Sequence, residues 1–544
     1  MAGPLRPLVL VRGFGGPDVS DEQRSPYQGF NDGSVYPNRR GENYIYEGFV
    51  LRALKSEAFP YRDATNVVGF YSEDIPSPID PLELDDDDVR GSVVLDPQIE
   101  KRVLDKGVAG TIWVYRYYDL RPRALERYGE GLRRLVELIE RSAARHHEAF
   151  HGVDIVAHSM GGLVVREGLV SMNERGAGSA ERLVHRVVTL GTPHRGIAFQ
   201  RAPSWLIRIL PGAKKAKGEL ASFDPRSTQF HGWAQNFDVS RVLTVVGTSY
   251  RTYGPAIASV ANRVSSLFDE GTLSTNRSDG LVKQASAQLP GAPRTFVDKC
   301  HGGPDSLVTS REAYEIAMRF FHGSHKVSLW LDEADVSRGR DTFGRSEFYF
   351  GVSIKPRFVD FELVHQSAEA ENCYGPFNQA DLRDPLPDLK AELQKPLAEF
   401  GDRTTGWAGP DRLVWEGWID EHSARDGAAG MVFRIDIYVG ERDTSGIGFS
   451  DNVVFRKQYY LQVFPGTPWE LYVHTGEKYL GMKEPADQDA VRAIAEPTPK
   501  AEVQSAGTVP EHPGQRTFHV VGTGFSATFR VGVERVRPVD GGGA

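Results

Sequence analysis

Cysteine is nearly absent: the 544 residues contain two, Cys300 and Cys373, far apart in the chain. A secreted scaffold stapled by disulfides needs a fuller set at close spacing, so that class is excluded and a reducing compartment is expected. An excess of positive charge is missing as well. Lysine and arginine number 64 against 73 aspartates and glutamates, a formal net charge of -9. Phosphate backbones are bound through basic faces, so no nucleic-acid partner is expected. No window reaches about 18 consecutive apolar residues, which leaves no candidate for a spanning helix. The opening MAGPLRPLVLVRGFGG carries a short apolar run with no small-residue cleavage site behind it, and it reads as a core strand rather than a signal peptide. The expected location is cytoplasmic. No internal repeat is found.

Hydrophobic residues make up 40% and charged residues 25%, an ordinary globular balance. The length exceeds what one core usually serves, so two or three domains are expected. Over residues 1–324 short apolar strands alternate with amphipathic helices, the pattern of an α/β fold with a mostly parallel sheet covered on both faces. The strands are LVLVRGF (8–14), TIWVYRY (111–117), VDIVAHS (153–159), RVVTLGT (186–192), RVLTVVG (241–247) and RTFVDKC (294–300). A crossover helix lies between the second and third, with Leu132, Leu135, Leu138 and Ile139 on one face. Another helix follows the third strand and ends at Gly176.

Two insertions interrupt this alternation. Residues 17–105 hold a predicted helix, NYIYEGFVLRALKSEAF, and an acidic run from Asp85 to Asp88. The run lacks the regular spacing of a calcium loop and suits a solvated loop, so no metal is expected. Residues 197–240 contain PSWLIRILPG, which gathers Trp205, Leu206, Ile207, Ile209 and Leu210. That segment fits an apolar cap over a site or an ordinary core helix equally well.

The grammar changes to period-two alternation over residues 325–484, as in KVSLWLDEADV and MVFRIDIYVGE, which predicts a separate, sandwich-like β domain. Residues 485–544 are expected to form a flexible linker, with 496–515 rich in Pro, Gly and Ser, and a terminal hairpin turning near Thr523 and Gly524, docked on the β domain.

Chemistry concentrates in VDIVAHSMGGLVVR. It holds the variant Ala157-His158-Ser159-Met160-Gly161 of the G-x-S-x-G pattern, set between a strand and a helix. A chain that turns that sharply strains its backbone at the central serine, and large flanking side chains would collide, hence the small residues. A plain strand-to-helix turn is the bland alternative. A serine hydroxyl attacks only when a base takes its proton, so a histidine and an orienting acid are required. In this fold they follow the serine in the order acid, then histidine, each after a later strand. Asp279 in NRSDGLV and His301 in CHGG fill those places.

Rivals exist among 15 histidines. His158 adjoins the serine and is expected to point away, His194 follows the fourth strand, and His322 and His325 come after the last helix. Asp269, Glu270 and Asp298 compete with Asp279, although Asp298 is expected inside a strand. An oxyanion needs two N–H donors, worth roughly 3 to 4 kcal/mol each. Met160 supplies one, and Phe14 in VRGFGG the other, with Gly15 as second choice. RGFGG lacks the Lys-Ser/Thr of a P-loop and the spacing of a dinucleotide fingerprint.

Residues 8–16, 153–166 and 187–196, with SDGLV and CHGG, resemble the lipase and esterase branch of the α/β-hydrolase superfamily, near the triacylglycerol-lipase-like and inositol-deacylase-like hydrolases. The resemblance covers roughly the first 323 residues. It implies Ser159 as nucleophile, Asp279 as acid, His301 as base, and Phe14 and Met160 as oxyanion donors. One departure is Arg12-Gly13, where such enzymes usually carry His-Gly. The expected activity is carboxylic-ester hydrolysis through an acyl-enzyme, without a cofactor, on a small-molecule or lipid ester with peripheral lipid contact. Acyl transfer or amide hydrolysis would use the same residues, and a non-catalytic binding protein on a hydrolase fold is the reading from another class.

Overall fold

In a computed structural model, the described residues are 5–13, 26–32, 34–36, 43–45, 48–69, 93–94, 107–117, 125–194, 233–249, 279–282, 284, 286–303, 305–336, 346–357, 359, 361–364, 374–377, 413–420, 431–443, 452–464, 466, 468–476 and 487–536. The first fold unit is an eight-stranded sheet. Its strands are β1 (Leu8–Val11), β4 (Arg62–Gly69), β5 (Val93–Val94), β6 (Thr111–Arg116), β7 (Val153–His158), β8 (Val184–Leu190), β9 (Val242–Gly247) and β10 (Arg294–Val297). A two-stranded ribbon, β2 (Ser34–Tyr36) and β3 (Asn43–Ile45), stands apart. The order across the main sheet is β10-β9-β8-β7-β1-β6-β4-β5, parallel except for the β4–β5 edge.

The sequence of each central strand explains how it is covered. Alternate residues of β1, Leu8 and Leu10 against Val9 and Val11, enter two different apolar clusters, one on each face of the sheet. Ile112 and Val114 of β6 join the first cluster, and Trp113 and Tyr115 the second. Strands buried on both faces read as continuous apolar runs for this reason. Helices α1 (Phe49–Lys55) and α6 (Arg311–His322) cover one face; α2 (Leu125–Arg145) and α3 (Met160–Arg175) cover the other. Leu132, Leu135, Val136 and Ile139 form the buried stripe of α2. Between α3 and α6 lie α4 (Ser179–Leu183) and α5 (Trp233–Asn236). Ser310 caps α6 by accepting the Ala313 N–H at 3.0 Å, which satisfies one orphan donor of its first turn.

Several expectations change. Residues 17–105, read as an insertion, contribute β4, which pairs in parallel with β6. Its sequence RDATNVVG is charged at the start and apolar only at the end, so it lacks the solid run of its neighbours. The helix expected over 43–59 is shorter, because Asn43–Ile45 pairs with Ser34–Tyr36 and Gly48 caps α1. β10 ends at Val297, so Asp298 lies just beyond the strand. The acidic run, Cys373 and the apolar stretch at 205–210 lie outside the described residues.

Two further sheets follow, antiparallel except for the parallel β18–β19 pair, built from β11 (His325–Val336), β12 (Ser346–Pro356), β13 (Tyr374–Phe377), β14 (Leu413–Ile419), β15 (Met431–Asp443), β16 (Asn452–Phe464), β17 (Glu470–His474), β18 (Ala495–Glu496), β19 (Val503–Ser505), β20 (Gly507–Thr508), β21 (Gln515–Gly522) and β22 (Phe525–Arg535). One sheet runs β14-β11-β22-β21-β20, the other β13-β12-β15-β16-β17-β19-β18. They pack face to face as a sandwich: Phe350 of β12 lies 6.2 Å from Phe525 and 6.0 Å from Phe529 of β22, and Trp415 of β14 lies 5.4 Å from Phe433 of β15. Residues 496–515, expected from composition to be a flexible connection, instead donate β19 to one sheet and β20 to the other, after the short helix α7 (Asp487–Ile494). Strand pairing here overrides a Pro- and Gly-biased composition.

The sandwich shares a core with the main sheet. Phe320 of α6 meets Trp418 of β14 edge to face at 4.7 Å, and the Arg294 N–H donates to Glu416 at 3.3 Å. The edge strand β10 is thereby covered rather than left open. Among the described residues no helix is long and apolar enough to cross a membrane. Because Phe320 is fully buried at this junction, Phe320→Ala is expected to lower unfolding stability by about 3 to 5 kcal/mol. A guanidinium midpoint equal to that of the unaltered protein would contradict the shared core.

Candidate active site

β7 leads directly into Ser159, and α3 begins at the next residue. Ser159 has φ 53° and ψ -127°, a conformation that side-chain-bearing residues avoid, at a cost of order 1 to 3 kcal/mol. Neighbouring strands hold it there. Its N–H donates to the Leu190 carbonyl at the end of β8, 2.9 Å away, and its carbonyl accepts the Gly162 N–H at 3.1 Å. The turn brings the elbow against the end of β1. A Cβ at Gly13 would lie 2.8 Å from the His158 carbonyl oxygen and 3.0 Å from the Met160 nitrogen, so only glycine passes this close.

The structure brings together the three side chains that the sequence selects. His301 Nε2 lies 2.8 Å from Ser159 Oγ, and His301 Nδ1 lies 2.8 Å from Asp279 Oδ2. All three are buried. Asp279 follows β9 in the chain and His301 follows β10, so the contacts form across three strand ends. Asp279 is itself tied down: Oδ1 accepts the N–H groups of Leu281 at 3.0 Å and Val282 at 2.7 Å, and its carbonyl accepts the His301 N–H at 2.8 Å. A carboxylate that accepts on Nδ1 requires the hydrogen there, which leaves the Nε2 lone pair facing the serine hydroxyl.

Gly191 makes room for this pair. It sits at φ +56°, and a Cβ there would come within 2.7 Å of Asp279 Oδ2 and 3.3 Å of His301 Nδ1. The signal for this glycine in the sequence is the motif LGTPHRG, a glycine directly after an apolar strand. The loop that carries His301 is pinned on its far side. The Cys300 N–H donates to Asp305 O at 3.1 Å, the Leu307 N–H to Cys300 O at 3.0 Å, and the buried Lys299 ammonium pairs with Asp305 at 2.7 Å.

The rival histidines are engaged elsewhere. His194 Nε2 bonds the Thr189 hydroxyl at 2.9 Å with its ring edge-on to Trp233, and burial pushes it down to about 3. His322 stacks on Phe59 and shares a 2.9 Å hydrogen bond with the Tyr61 hydroxyl, and burial pushes it down to about 4. His325 opens β11 and bonds Ser324 at 2.9 Å. His158 is engaged by the backbone of residue 301. Its Nε2 donates to the His301 carbonyl at 2.8 Å, and burial first, then the charges of His301 and Arg12, holds it well below the usual histidine range. Asp269 and Glu270 lie outside the described residues.

Met160 is the first residue of α3, where an N–H has no acceptor within the helix. It faces the passage of Gly13 described above. Phe14 and Gly15 lie outside the described residues. Among the described residues no group of three or more His, Cys, Asp or Glu is placed to hold a metal ion.

A family model described as the PGAP1-like alpha/beta domain matches residues 117–203, from the residue after β6 through α2 and the serine elbow to beyond β8. No curated protein matches the chain. Similar solved structures include the product of gene lin2722 from Listeria innocua, at 13% identity and TM-score 0.32, covering 58% of this chain and 93% of that one. Phospholipase PlaB from Legionella pneumophila is similar at 12% identity and TM-score 0.27, covering 66% of this chain and 87% of that one in its complex with thio-NAD. Sheet order, elbow and family match agree on the α/β-hydrolase fold.

The buried histidines carry a pH prediction. Once unfolded, His322 takes up a proton near its ordinary 6.5, whereas folded it does so only near 4. Between those values the unfolded chain binds more protons, so stability falls as pH falls from about 6.5 toward 4. His322→Gln is expected to make that decline shallower by up to about 1.4 kcal/mol per pH unit, read from denaturation midpoints between neutral pH and the acid end. An unchanged slope would mean that the folded protein does not hold this imidazole neutral.

Proposed function

We propose that the protein is a serine hydrolase of carboxylic esters that works through an acyl-enzyme on Ser159. The observation that carries this reading is the unbroken chain of two 2.8 Å contacts from Asp279 through His301 to Ser159 Oγ. A family match spanning the elbow supports it.

The steps follow from the atoms. His301 Nε2 takes the hydroxyl proton as Ser159 Oγ attacks the ester carbonyl carbon, and the carbonyl oxygen becomes an oxyanion. Asp279, held by two backbone donors, keeps Nδ1–H in place and stabilises the imidazolium. The Met160 N–H is one oxyanion donor, and Phe14 supplies the second in this reading. Collapse breaks the carbon–oxygen bond to the alcohol, whose oxygen receives the proton from Nε2. Water then gives a proton to Nε2 and attacks the acyl carbon; the second collapse returns that proton to Oγ and releases the acid. No cofactor enters any step. The substrate is the ester of a small molecule or of a lipid, and p-nitrophenyl esters of rising acyl length separate these two.

Ser159→Ala and His301→Ala are each expected to lower kcat on a p-nitrophenyl ester by about 10⁴ to 10⁶, with folding retained by circular dichroism. Wild-type turnover in His301→Ala would remove it as the base. Asp279→Asn is expected to cost about 10⁴ in kcat by presenting the wrong tautomer; a loss below tenfold would reassign the acid.

A further inference from the structure

His158 takes no part in the proton transfers above, yet it is buried against the group that performs them. Its Nε2 lies 2.8 Å from the His301 carbonyl oxygen, so that nitrogen carries the hydrogen and donates. The two rings lie 4.8 Å apart and inclined by 42°. The other end of residue 301 is tied differently, because its N–H donates to the Asp279 carbonyl at 2.8 Å. One peptide bond of the base is thus fastened to the acid, and the next is fastened to the strand end that carries the nucleophile.

The second fastening matters at a definite moment. In the free enzyme the Oγ–Nε2 contact and the His158 bond both join the elbow to the base loop. In the acyl-enzyme Oγ is an ester oxygen without a hydrogen, so its donation to Nε2 is gone. His301 must then aim its lone pair at a water molecule, and the bond from His158 still ties the two loops together. We propose that His158 is a positioning residue that holds the base against the acylated elbow, and that its contribution falls chiefly on deacylation. This rests on Ser159 and His301 acting as proposed above. Two further observations agree. Among the described residues Nδ1 of His158 has no hydrogen-bond partner, consistent with a neutral ring whose one hydrogen is on Nε2. Burial and the nearby positive charges hold that ring neutral, so it donates without placing a second cation beside the imidazolium.

The test compares two amide variants of equal polarity and different reach. In His158→Gln the side-chain N–H extends about as far as Nε2, and in His158→Asn it falls short. Stopped-flow with a p-nitrophenyl ester separates the burst, which reads acylation, from the steady rate, which reads deacylation. His158→Asn is expected to slow deacylation by about 10²-fold, the scale of an ångström-size misplacement, with acylation slowed by less than about tenfold and a larger burst; His158→Gln is expected to recover most of the deacylation rate. The proposal fails if both rates fall together in both variants, or if Asn and Gln behave alike. Should the unaltered protein form no acyl adduct at all, the reading of Ser159 fails first and takes this one with it.

Discussion

A serine held at φ 53° cannot persist by local preference, and the sheet around it exists in the arrangement needed to hold it. β7 lies between β1 and β8 in parallel register, with Val156 opposite both Leu10 and Val188. Each of these strands is buried on both faces, so the elbow cannot relax without breaking hydrogen bonds or exposing apolar surface. Strain of a few kcal/mol is small against a core of that size, which is how a fold keeps one residue in a poor conformation. Glycines at 13 and 191 are the local counterpart, since each lies where a Cβ would strike the serine elbow or the Asp279–His301 pair.

The constraint passes to Asp279 and His301 through backbone rather than through side chains alone. Asp279 is fixed by donors from Leu281 and Val282, and it receives the His301 N–H on its carbonyl. The loop after β10 closes on itself through Cys300, Asp305 and Leu307. Burial then sets the chemistry. In a water-poor site the Asp279 carboxylate acts at higher effective strength than at the surface, and the neighbouring His158 is kept uncharged. The sandwich contributes from the other side, with Glu416 accepting from Arg294 of β10 and Trp418 packing on Phe320 of α6, so the strand that delivers His301 is engaged by β9 on one edge and by Glu416 beside it.

How much of this is legible in the letters depends on whether the signal is local. The pattern Ala157 to Gly161 between an apolar run and a helix determines the elbow locally, and chain order narrows the acid and the base to a few candidates that include Asp279 and His301. Strands buried on both faces announce themselves, whereas β4 does not, because RDATNVVG begins with charges and gains its place only by pairing with β6. The segment 496–515 misleads for the reverse reason: its composition suits a linker, yet neighbouring strands recruit its short stretches into two sheets. His158 shows the limit most clearly. Adjacency to the serine marks the residue, but its bond to a carbonyl 143 positions later is long-range geometry that spacing cannot encode.

The central claim is that Ser159 Oγ becomes acylated with His301 as its base, and trapping that adduct tests it most directly. The protein is mixed with a p-nitrophenyl ester, quenched in acid during the burst, digested and mapped by mass spectrometry. One added acyl group is expected on the peptide that contains Ser159. Turnover with no acyl group there, or with the acyl group on a different side chain, would contradict it.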